Sequence, residues 1–135
     1  ALRIVPGDRD ALNNLAWLLR EDSSRLDEAE ALAARAAGEP GPDQGEALDT
    51  LGRVQLARGR CHEAASTFAR GIPPNPQSGG VSATLLEGLG QARLLCGELQ
   101  AAEEAFEAAL LAGPRPDTER AARAGLASLS PDQSR

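Results

Sequence analysis

At 135 residues the chain is long enough to bury one continuous core and too short for two substantial ones, so residues 1–135 read as a single domain. Hydrophobic residues make up 41% of it but aromatics only 2%, with Ala and Leu supplying most of the apolar count, which favours close helix-on-helix packing over a sheet. A net charge of -6, with arginine supplying all 14 basic residues, argues against a nucleic-acid surface, and the absence of any apolar run of about eighteen residues argues against membrane insertion.

Taken in chain order, the sequence repeats itself. Leu12, Leu15 and Ala16 recur 36 residues on as Leu48, Leu51 and Gly52, while Leu26, Ala29 and Ala36 recur 35 residues on as Cys61, Ala64 and Gly71. One residue is therefore inserted between the two helices of the first unit. Leu51, Gly52, Gly59, Ala64 and Phe68 recur at a constant offset of 38 as Leu89, Gly90, Gly97, Ala102 and Phe106. Such self-similarity marks a solenoid whose units cannot bury their apolar faces alone.

Each unit reads as a helical hairpin. Leu48, Leu51, Gly52 and Gln55 fall at i, i+3, i+4 and i+7, and Ala64, Phe68 and Ile72 resume helical spacing after a glycine break. Gly59 and Gly97 stand where the first helix of a unit should close. Gly52 and Gly90 stand inside that helix, at a cost of about 1 kcal/mol relative to Ala, which calls for close approach of the partner helix.

The small residue of the first helix (Gly52, Gly90), the Ala twelve positions later (Ala64, Ala102), the Phe four beyond it (Phe68, Phe106), Ala109 and the closing prolines (Pro76, Pro114) together resemble the tetratricopeptide repeat. The resemblance spans residues 9–42, 45–78 and 83–116, with 117–129 as a capping helix and 1–6 as the end of a preceding unit. It implies an all-α, right-handed superhelical solenoid of antiparallel hairpins. The sequence departs from the family where an aromatic is usual late in the first helix, having Leu19, Gln55 and Arg93, and where Ala33 stands in the slot of Phe68; looser packing is expected there. Gly71, Pro73 and Pro74 should stop the second unit's last helix early and leave Gly71 to Ser82 irregular.

No catalytic arrangement emerges. Glu103, Glu104 and Glu107 read as a solvated face, and the Ser, His and Cys residues show no nucleophile with an orienting partner, so the chain is expected not to be an enzyme and to need no cofactor. Cys61, His62 and Cys96 include metal-ligating types. Because Cys61 takes the slot of Leu26 and Leu99, it reads as a small buried hydrophobe, and His62, in the slot of Asp27 and Gln100, as a solvated residue; no metal site is expected. Two cysteines are too few for a disulfide scaffold, and they leave the redox compartment undetermined.

The resemblance implies that the free faces of the first helices line a concave groove for a peptide or helix. Its register gives four rows: Asp10, Glu46 and Thr84; Asn13, Asp49 and Glu87; Trp17, Arg53 and Gln91; Arg20, Leu56 and Leu94. The acidic side chains suit a basic or mixed-charge protein partner, with Trp17, Leu56 and Leu94 as apolar contacts. Trp17 equally suits packing against a preceding unit. A structural spacer or dimerisation segment of a longer multi-repeat protein is the alternative to a binding module.

Overall fold

The computed structural model describes residues 23–38, 44–72 and 80–129. A short 3-10 turn at Ser23–Arg25 leads into α1 (Leu26–Ala37), followed by α2 (Gln44–Ala57), α3 (Cys61–Arg70), α4 (Gly80–Leu95), α5 (Leu99–Leu111) and α6 (Pro116–Leu129). The described residues are thus all-α, as the composition requires. None of these helices is long and apolar enough to cross a membrane.

Each helix packs on the next in the chain, and α2, α4 and α6 also touch one another in that order. The directions follow from the pairings. Leu48 and Gln55 meet Gly71 and Thr67, Cys61 and Gly71 meet Cys96 and Leu85, and Gly90 and Arg93 meet Phe106 and Ala101, so α2, α3, α4 and α5 run antiparallel in turn. Helices α2 and α4, each antiparallel to α3, are therefore parallel, and Arg53 joins them through Thr84 and Glu87. Helix α6 packs through Thr118 of its first turn against Thr84 and through Gly125 against the Phe106 ring.

The turns between hairpin helices repeat bond for bond. Gly59 and Gly97 have φ of 77° and 81°, a left-handed conformation that only glycine enters without strain. The amide of Gly59 donates to the Leu56 carbonyl at 2.9 Å and that of Arg60 to Gln55 at 3.0 Å; the amides of Gly97 and Glu98 do the same to Leu94 at 3.0 Å and Arg93 at 2.8 Å. This double bond pattern is the Schellman closure, which uses carbonyls the helix end would otherwise leave orphaned.

Packing repeats as well. Phe68 and Phe106 are wholly buried. A Cβ on Gly52 would lie 2.6 Å from the ring of Phe68, and one on Gly88 of the following hairpin would lie 2.6 Å from its Cζ atom. Phe106 sits in the same way between Gly90 of its own hairpin and Gly125 of α6, each Cβ position falling 2.6 Å from a ring carbon. Each ring is therefore clasped by two helix backbones, which explains why glycine is kept inside helices at a propensity cost. The first unit trades volumes: buried Ala33 takes the slot of Phe68, and buried Thr50 takes the slot of Gly88.

Of the positions that lack the usual aromatic, Gln55, only 7% exposed, accepts a 2.6 Å hydrogen bond from Thr67, and Arg93 donates to the Ala101 carbonyl at 3.3 Å, each contact joining the two helices of its own hairpin; Leu19 lies outside the described residues. One expectation needs correction: the irregular stretch is shorter than Gly71 to Ser82. Helix α3 does end at Arg70, but α4 already begins at Gly80. Residues 73–79 lie outside the described residues.

Candidate functional site

The groove rows lie on α2 and α4, since Asp10, Asn13, Trp17 and Arg20 fall outside the described residues. Parallel packing of α2 beside α4 brings Glu46, Asp49, Arg53 and Leu56 alongside Thr84, Glu87, Gln91 and Leu94. Helical spacing places Glu46, Asp49, Arg53 and Leu56 along one stripe of α2, at i, i+3, i+7 and i+10.

Arg53 organises this surface. Its Nε donates to Asp49 Oδ1 at 3.2 Å, and its Nη2 donates to the Thr84 carbonyl at 3.2 Å and to Glu87 Oε1 at 2.8 Å. The guanidinium carbon also lies 5.3 Å from the centre of the Phe68 ring, within cation–π range. Burial alone would disfavour its charge, but the carboxylates of Asp49 and Glu87 outweigh that and hold its pKa above the ordinary arginine value. Arg53 therefore stays charged at any working pH.

The free-face reading fails for Glu87. It is 4% exposed and spent on Arg53, so it joins α2 to α4 and is no open groove carboxylate. The sequence missed this because Arg53 and Glu87 belong to different rows; the bond runs diagonally between units. Thr84 is likewise half-buried, with its hydroxyl 3.3 Å from that of Thr118 on α6. Glu46 is exposed, whereas Asp49, Arg53 and Gln91 are half-buried. Leu56 and Leu94 are partly buried against the two halves of the core, leaving only part of each side chain to solvent.

The second correction concerns the cysteines. Cys61 and Cys96 are joined in a disulfide, with Cα atoms 5.5 Å apart. Cys61 is half-buried, and Leu99, in the slot used to read it as core, is 54% exposed, so the slot lies at the rim of the hairpin. The missed signal was topological: antiparallel α3 and α4 put the first residue of one beside the residue just after the other. His62 Nδ1 lies 3.6 Å from Cys96 Sγ, and one ligand atom from each of Cys61, His62 and Cys96 falls within 4.8 Å of the others.

Just before Cys61 in the chain, Arg58 pairs with Asp27 and with Glu30 at 2.8 Å, and Arg60 with Glu30 at 3.4 Å, tying α1 to the turn between α2 and α3. Glu103, Glu104 and Glu107 are exposed on α5, in keeping with a solvated face. No protein-family model matches the chain, and no curated protein matches it either.

Proposed function

We propose that the chain is a tetratricopeptide-like module, one right-handed superhelical stack of three hairpins capped by α6, that holds a basic or mixed-charge peptide or helix against α2 and α4. The carrying observation is the charge imbalance on those adjoining faces: the carboxylates of Asp49 and Glu87 both pair with Arg53, and Glu46 is exposed on the same stripe of α2. Asp49 and Glu87 are held by Arg53, so the exposed Glu46 presents the acidic field, while the outer parts of Leu56 and Leu94 offer apolar contact. Rim charges of this kind steer encounter more than they set residence time. Arg53, pinned from three sides, keeps the acidic pair in place without a partner. The role is binding, with chemistry left to other proteins.

Fluorescence anisotropy with a labelled cationic amphipathic peptide tests this. Glu46→Gln with Asp49→Asn should slow association and flatten its salt dependence. Trp17→Ala or Leu94→Ala should mainly speed dissociation. Binding that tightens with added salt, or that prefers an acidic peptide, would refute the reading.

A spacer role is favoured by a different observation. Arg53 with Glu87, and Thr84 with Thr118, join neighbouring helices with side chains that a groove would present to a ligand. If no cationic, acidic or apolar peptide binds the folded chain, the spacer reading takes precedence.

A further inference from the structure

We propose that Cys61, His62 and Cys96 form a redox-gated site for Zn2+: closed while the disulfide is intact, and a three-ligand S,S,N site once it is reduced. This departs from the expectation, drawn from the self-alignment, that these residues bind no metal. A disulfide alone would need only the two cysteines. The third residue is what points to a ligand set, since His62 stands where the other units have Asp27 and Gln100 and so serves no need of the repeat.

The geometry suits a tetrahedral cation. With Zn–S near 2.3 Å and Zn–N near 2.05 Å, tetrahedral angles place a sulfur and a nitrogen ligand about 3.5 Å apart. His62 Nδ1 and Cys96 Sγ are 3.6 Å apart. Only the two sulfurs must separate, and with Cα atoms 5.5 Å apart rotation about their Cα–Cβ bonds suffices. Cys61 is the first residue of α3, a ten-residue helix, so the partial positive charge of the helix N-terminus favours its thiolate. His62 is exposed and both cysteines are half-buried, which leaves a fourth position open to water. Two thiolates and an imidazole match the preference of Zn2+ for sulfur and nitrogen donors.

The chemistry balances with a thiol or phosphine reductant. Two electrons from the reductant break the S–S bond, and each sulfur takes up a proton to become a thiol. Zn2+ then displaces those two protons, forms two Zn–S bonds and accepts the lone pair of His62 Nδ1, which places the remaining ring proton on Nε2. Bound Zn2+ in turn holds the sulfurs as separate thiolates and should protect them from reoxidation.

The test uses the full chain, reduced with a phosphine and desalted without oxygen, with Zn2+ affinity read by competition with a chromophoric chelator and ligand type by Co2+ absorption. The reduced chain should take up one equivalent of Zn2+ with a Kd of about 1 µM or tighter, and give thiolate-to-Co2+ charge-transfer bands, while the oxidised chain should do neither. His62→Ala should weaken Zn2+ by about tenfold or more, with helical circular dichroism and disulfide formation unchanged. Reduced chain that binds Zn2+ no better than Cys61→Ser with Cys96→Ser would overturn the site. So would His62→Ala binding as tightly as the native chain.

Discussion

Substituting Gly88 by Ala sets two effects of opposite sign against each other. Gly88 lies inside α4, where intrinsic propensity alone predicts that Ala stabilises the helix by about 1 kcal/mol. A Cβ there would stand 2.6 Å from Phe68 Cζ, and the ring is wholly buried and equally close to the backbone at Gly52, so it cannot yield without disturbing its neighbours. Overpacking of this kind costs about 1–3 kcal/mol and should sit in the upper half of that range, giving a net loss of about 1–2 kcal/mol. Removing the ring should reverse the sign, so that Gly88→Ala stabilises a Phe68→Ala background by about 1 kcal/mol. Urea denaturation of the four members of this cycle, at constant m-value, measures both quantities. Gly88→Ala that stabilises the native background would refute the clasped-ring packing.

Phe106→Ala empties the equivalent slot between Gly90 and Gly125 and should cost about 3–5 kcal/mol, read from the same denaturation assay. Arg53→Met removes the partner of buried Glu87 and should cost roughly 2–3 kcal/mol, below the figure for a fully buried pair because Arg53 and Asp49 reach solvent. Adding Glu87→Gln to Arg53→Met should recover part of that loss, since the more deeply buried of the two carboxylates that Arg53 holds is then neutral. Replacing both cysteines by Ser frees a 35-residue separation in the unfolded chain and should lower stability under oxidising conditions by about 2–4 kcal/mol, with little difference once both proteins are kept in reductant.

What was legible in the sequence was whatever repeats at constant offset. Gly59 with Gly97, Gly52 with Gly90 and Phe68 with Phe106 each perform one local task per unit, so the same residue returns at the same place. Gly88 and Gly125 were not legible, although they close the clasps from the far side. Gly88 takes the slot of Thr50, because the residue it must accommodate belongs to the preceding hairpin, and there Phe68 has replaced Ala33. Contacts between units vary with both neighbours and so escape a comparison of units one by one. The Arg53–Glu87 bond and the Cys61–Cys96 link are of the same kind, each crossing from one unit to the next, and each overturned an assignment made from register alone. The carboxylate row on α2 was legible as a stripe; how much of it faces solvent depended on a residue of α4.

Chemical-shift mapping of the 15N-labelled chain during titration with a cationic amphipathic peptide tests the binding role most directly. The expected result is saturable shifts at Glu46, Asp49, Leu56, Gln91 and Leu94, on the adjoining faces of α2 and α4, that diminish as salt is raised. Shifts confined to the exposed positions of α3 and α5, such as Ser66, Glu103 and Glu107, or no shifts with cationic peptide at all, would contradict it.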